Sequence, residues 1–293
     1  MNTDTIIILG NGFDRDLGFD LTFKSYRNNH LCGAHELDKL NPKGDKWSDF
    51  ETELRSCILD WKSDLPNAED RANDINKYWQ YFWKFFSVFI TEQTQDYPLK
   101  KEVNKNCAYE LLETLKSNNI VYTFNYTYPY EYTTLKPICE FKFVHGRYYK
   151  DGFTDMAIMS QSPQMILGID YELIPAELRE NDYFKPIIKK NHPEFKGTDI
   201  KEKLSKASTV IFFGHSLGIT DSDYFKKFFE DLQNNKNQCE RVFIITLDKC
   251  SYEGIIERAK TWGVDLKGND KIIPIYTDKG PNSRDFKKVL SYL

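Results

Sequence analysis

Apolar positions along this chain fall into short unbroken runs separated by amphipathic stretches. The run Thr5 to Leu9 is largely β-branched and enters Gly10-Asn11-Gly12. It predicts a buried strand ending in a turn that needs a positive φ. After Asn118-Asn119 further runs follow at Ile120 to Asn125, Glu140 to Val144, Met165 to Ile169, Thr209 to Phe213, Arg241 to Leu247 and Lys271 to Tyr276. Helical spacing fills several intervals, notably Asp199 to Lys206, Asp221 to Gln233 and Tyr252 to Trp262. Continuous apolar runs alternating with helices predict a Rossmann-like α/β fold, its largely parallel sheet covered by helices on both faces.

Between the first run and the rest, the spacing becomes helical. Phe50, Leu54, Ile58 and Trp61 share one face, and Tyr78, Phe82, Phe85 and Phe89 another. The expected organisation is a core of residues 1–34 and 117–293 with a helical insertion, residues 35–116, after the first strand. Within the insertion, Tyr78 to Ile90 reads YWQYFWKFFSVFI, aromatic nearly all round. Such a helix is either buried in the insertion's own core or offered to a membrane surface, a partner protein or a second copy. Thirteen residues cannot span a bilayer.

Composition narrows the function classes. Forty Lys and Arg against 44 Asp and Glu give a net charge of −4, so no chain-wide positive field attracts a phosphate backbone, and nucleic acid is not the expected partner. The first ten residues lack the basic region of a signal peptide, and their apolar run is short, so a cytoplasmic protein is expected. Six scattered cysteines form no C-x-x-C pair, which predicts reduced thiols and no structural zinc. No metal is expected.

In a parallel sheet, ligands bind outside the carboxyl ends of the strands, so the turns there carry the candidate chemistry. Four stand out. Gly10, Asn11, Gly12 and Asp14 form a turn able to bring backbone N–H groups to a phosphate; a tight turn with Asp14 as helix N-cap explains the same residues. The third glycine of G-x-G-x-x-G is missing, with Arg15 in its place. Thr123 and Asn125 end the next strand, where the amide either holds a ribose hydroxyl or water or satisfies its own backbone. His145, followed by Gly146, is a candidate general base or a merely hydrogen-bonded histidine.

The fourth turn, Gly214-His215-Ser216-Leu217-Gly218, matches the G-x-S-x-G of a hydrolase nucleophile elbow. That fold places its histidine after the serine, yet the five histidines are His30, His35, His145, His192 and His215. None follows Ser216, so the triad cannot be completed in that order. Ser216 is read instead as a turn hydroxyl or ligand contact, and Asp221 as a ribose ligand or the N-cap of the next helix.

Taken in order, ILGNGFD, WSDFE (Trp47 to Glu51), TFNYT, VHG, LGID (Leu167 to Asp170) and FFGHSLGITDSDYF resemble the AbiH family of bacterial phage abortive-infection proteins. The layout is also similar to the wider sirtuin-like group, in which a glycine-rich turn, a T-x-N-x-D strand end, a histidine followed by glycine and a late G-x-S turn surround NAD. The resemblance implies NAD as ligand or substrate. It puts Gly10 and Gly12 on the dinucleotide, Asn125 on the nicotinamide ribose, His145 in the role of general base and Ser216 near the phosphates or ribose. Thr127 stands where that group has Asp, Asp14 where it commonly has Ser, and zinc cysteines are absent. These departures point toward zinc-free sirtuin-like domains of bacterial defence proteins, which destroy NAD.

The implied activity is cleavage of the nicotinamide glycosidic bond, with His145 and Asn125 catalytic and Gly10, Asn11, Gly12, Asp14, Thr123, Gly214, Ser216 and Asp221 binding the cofactor. Glu51 is a weaker candidate for a ribose contact. The alternative is a non-catalytic nucleotide-binding sensor or toxin component, acting through a protein docked on the aromatic insertion.

Overall fold

The computed structural model describes residues 5–26, 86–94, 106–148, 166 and 195–293. The chain divides into two compact units, the first made of Met1–Phe19, Asp96–His145 and Lys196–Leu293, the second of Asp20–Gln95 and Gly146–Phe195. The first unit holds a six-stranded sheet of β1 (Thr5–Leu9), β2 (Ile120–Thr123), β3 (Glu140–Phe143), β4 (Thr209–Phe213), β5 (Arg241–Thr246) and β6 (Ile272–Tyr276). Strand order is β3-β2-β1-β4-β5-β6, and every neighbouring pair is parallel. The expected Rossmann-like α/β fold is therefore present. The expected strand Met165 to Ile169 lies outside the described residues except for Ile166, which is buried.

Position in the sheet explains each strand's composition. Successive side chains point to opposite faces, so the complete burial of β1 (TIIIL) and β4 (TVIFF) means that both faces of the centre are covered. At the edges burial is partial: β3 (EFKF) has no fully buried position, and β6 carries Pro274. A proline supplies no N–H to a ladder, and an edge strand tolerates that loss.

Helices of the first unit are α1 (Asn11–Leu17), α2 (Cys107–Thr114), α3 (Ile200–Lys206), α4 (Ser222–Gln233), α5 (Lys249–Thr261) and α6 (Arg284–Leu290). Asp16 on α1 joins α2 at its start, accepting from Ala108 N at 2.7 Å through Oδ2 and from Asn106 Nδ2 at 2.6 Å through its carbonyl. α4 buries Tyr224, Phe225, Phe228, Phe229 and Leu232, the recurrence of one helical face. α5 begins at Lys249, ahead of the expected Tyr252, because Asp248 caps it by accepting from Ser251 N at 2.7 Å.

In the second unit, the helix Phe23–Tyr26 and helical residues 86–94 are described. Tyr26 meets the rings of Phe86 and Phe89 with centroids 5.5 and 5.4 Å apart, and Thr91 Oγ1 lies 2.6 Å from Tyr148 Oη. Phe86, Phe89 and Ile90 of the aromatic segment are thus buried within their own unit, whereas Val88 is exposed. Tyr78 to Phe85, together with Trp47 to Glu51, lie outside the described residues.

Candidate functional site

Strands β3, β2, β1 and β4 are consecutive neighbours, so the four turns singled out in the sequence emerge side by side from one edge of the sheet. Register sharpens this. Leu9 pairs with Thr123 on one side and Phe213 on the other, which puts Gly10, Phe124 and Gly214 level. The ladder continues one step past the strands, with Phe124 N donating to Leu9 O at 2.9 Å and Gly10 N to Phe213 O at 3.0 Å. Between β1 and β4 the order of connection reverses, the position at which open α/β sheets form their ligand crevice.

The glycines of the first turn do something other than adopt positive φ. Gly10 is extended at φ −124°, whereas Gly146, after His145, and Gly214 are left-handed, at φ +70° and +66°. They are there for space. A Cβ on Gly10 would lie 2.5 Å from His215 Cα, one on Gly12 would lie 2.6 Å from Gly214 Cα, and one on Gly214 would lie 2.2 Å from Phe13 N. The β1 and β4 turns thus pack backbone on backbone, and Gly12 N donates to Gly214 O at 2.9 Å while Phe13 N donates to Gly10 O at 2.8 Å. Two N–H groups of the turn expected to cradle a phosphate are engaged within the protein. Asn11, half-buried at the start of α1, makes no side-chain hydrogen bond among the described residues.

Behind this turn lies a buried polar cluster. α1 starts at Asn11 with Gly10 at the cap position, so Asp14 is inside the helix and is not its N-cap. Its carboxylate accepts from Asn125 Nδ2 at 2.9 Å and from Thr127 Oγ1 at 2.5 Å. Burial pushes the Asp14 carboxyl up to about 7, against the opposing pull of the Thr127 and Asn125 hydrogen bonds. Asn125 Nδ2 also donates to Gly10 O at 3.0 Å, so both amide hydrogens bind protein and Oδ1 remains for anything else. Thr123 is buried, and its Oγ1 accepts from Asn125 N at 3.1 Å.

His145 ends the first unit just past β3. It is buried with its ring against Phe124 (centroids 5.2 Å) and Tyr126 (6.1 Å). Phe124 also meets His215, at 4.6 Å, so one phenyl ring links the histidines of the β3 and β4 turns. His215 has no assigned role in the sequence reading. Its Nδ1 accepts from Leu217 N at 3.1 Å, which fixes the neutral tautomer with hydrogen on Nε2, and Asp221 Oδ2 lies 3.5 Å from that nitrogen. Burial, with the Arg258 guanidinium nearby, drives the imidazole down to about 3. Leu217, buried and hydrogen-bonded to His215, sits at φ +49°, a conformation uncommon for a residue other than glycine.

Asp221 occupies the cap position of α4 without making a side-chain cap bond. A Cβ on Gly218 would find Ser216 Oγ at 3.6 Å, Thr220 Oγ1 at 3.6 Å and Asp221 Oδ2 at 3.7 Å, so three side-chain oxygens surround this glycine. Ser216 is exposed, and its carbonyl accepts from Arg258 Nε at 2.7 Å. Arg258 sits on α5 in an ordinary amphipathic pattern, and nothing in its sequence neighbourhood marks it.

The strand order and the side chains gathered at the β1/β4 reversal define a doubly wound α/β protein of the Rossmann type. A family model described as "Bacteriophage abortive infection AbiH" matches residues 6–244. The chain belongs to this family, among proteins of phage abortive infection. No curated protein matches it. Among the described residues no helix is long and apolar enough to cross a membrane.

Proposed function

We propose that the protein is an abortive-infection effector that binds NAD at the β1/β4 reversal and hydrolyses its nicotinamide glycosidic bond. The observation that carries this reading is the gathering of Asn125, His145 and the Gly214–Asp221 turn on one edge of four adjacent parallel strands. Few groups suffice for the chemistry. Water attacks the ribose carbon, the bond to nitrogen breaks, and its electron pair neutralises the pyridinium, so nicotinamide departs without an acid. His145 takes the proton from water, a role worth about 10² to 10⁴ in rate. Asn125 Oδ1 and Asp221 are the acceptors for ribose hydroxyls, and positioning supplies the rest.

The test is NAD consumption and nicotinamide release by the purified chain and by His145→Ala. The expected result is turnover by the native protein and a loss of about 100-fold or more in the variant, with its circular dichroism and its affinity for ADP-ribose retained. His145→Ala is the cleaner substitution, because changing Asn125 also strips hydrogen bonds from Gly10 and Asp14. Equal turnover by the variant would remove His145 from the chemistry. A binding-only sensor is the second reading, favoured by the engagement of both Asn125 amide hydrogens in the protein; it requires NAD binding with no nicotinamide release.

A further inference from the structure

A nucleotide at this reversal brings phosphate charge, and the following inference rests on that reading. The β1 turn is poorly equipped to meet the charge, since Gly12 N and Phe13 N already donate to Gly214 O and Gly10 O. α1, with seven residues, offers only a short helix dipole. Positive charge has to come from a side chain.

Arg258 is so placed. Its Nε donates to Ser216 O at 2.7 Å, which pins the guanidinium against the β4 turn. Nη1 and Nη2 form no hydrogen bond or ion pair among the described residues, although the side chain is partly buried. Burial lowers its pKa, and no carboxylate acts in the other direction. A partly buried guanidinium without an acid partner carries a desolvation cost that its single hydrogen bond only partly offsets. Gly254, one turn earlier on α5, leaves room for it: a Cβ there would already touch Nη1 at 3.4 Å. With Nε fixed, the planar pair of Nη groups is a preorganised fork of the kind that binds phosphate through two hydrogen bonds. Ser216 and Thr220 add hydroxyls on the same turn. Arg258 lies beyond the residues that the family model matches.

We propose that Arg258 is the phosphate anchor of this site, its Nη groups binding the diphosphate of a dinucleotide held at the β4 turn. Calorimetric titration of the full chain with ADP-ribose, inorganic pyrophosphate and adenosine tests it, in the native protein, Arg258→Gln and Arg258→Lys. ADP-ribose binding is expected to weaken about 10- to 100-fold in Arg258→Gln and to lose ionic-strength dependence, while adenosine binding stays the same. Arg258→Lys should recover part of the affinity, having the charge but not the fork. Unchanged ADP-ribose binding in Arg258→Gln would overturn the assignment and leave the nucleotide reading standing. Equal weakening of adenosine and ADP-ribose in both variants would overturn it too, marking a collapsed turn. Pyrophosphate binding that needs Arg258, in a protein blind to ADP-ribose, would uphold the anchor and refute the nucleotide. Binding of neither phosphate ligand by the native protein would refute both.

Discussion

Replacing Gly214 by alanine tests the interlock of the β1 and β4 turns. The new Cβ would start 2.2 Å from Phe13 N and 2.4 Å from Gly12 C, both backbone atoms that no rotamer change can move. At φ +66° alanine also carries the left-handed penalty, about 1–2 kcal/mol. Parting the turns adds roughly 1–3 kcal/mol of overpacking strain and about 1 kcal/mol for each hydrogen bond lost between Gly10 or Gly12 and the β4 strand and turn. The sum is about 3–7 kcal/mol, a large part of an ordinary domain's stability. In a unit of this size it should lower the melting temperature by roughly 6 °C or more, read by far-UV circular dichroism. Gly218→Ala is the control: its Cβ meets Ser216, Thr220 and Asp221 oxygens at ordinary contact distances, so it should melt within about 2 °C of the native protein. If Gly214→Ala melts with the native protein, or if the two variants lose stability equally, the glycines are not there to let the backbones touch.

Two further outcomes concern buried titratable groups. Asp14 has a folded pKa of about 7 against an ordinary 3.8, so the folded state holds its proton longer. Its contribution to stability is therefore full at low pH and falls as pH rises through this window, by about 2–3 kcal/mol between pH 5 and pH 8. His215 acts oppositely, losing stability as pH falls below about 6.5, so Asp14 is isolated by the difference between native protein and Asp14→Asn in urea unfolding at the two pH values. The variant should gain on the native protein by that amount on going to pH 8; a difference independent of pH would refute the protonated Asp14. For His215, NMR should show an imidazole that does not titrate between about pH 5 and pH 8 and that carries its proton on Nε2. An ordinary titration curve would place the ring in water.

The strands were legible because a parallel sheet buried on both faces demands unbroken apolar runs, which Thr5–Leu9 and Thr209–Phe213 show without ambiguity. The turns that follow the strands were legible for the same reason, since each begins where a run ends. Local spacing also located α3 and α4, whose starts lie within a residue of the expected Asp199 and Asp221. What each turn residue does was another matter. Gly10 and Gly12 look alike in sequence whether or not another backbone lies against them, and the approach of Gly214 and His215 is visible only in the fold. Asp14 reads as a surface cap until Asn125 and Thr127, more than a hundred residues later, close over it.

His215 and Arg258 show the limit most plainly. The sequence by itself determined a parallel α/β sheet and where the turns after its strands would lie, since periodicity and turn chemistry are properties of neighbours along the chain. Only the tertiary structure decided which polar groups are engaged by the protein. Arg258 reaches Ser216 across 42 residues, and Asn125 reaches Gly10 across 115. Hydrogen-bond saturation and desolvation depend on atoms brought together by the strand order, and no local pattern encodes them.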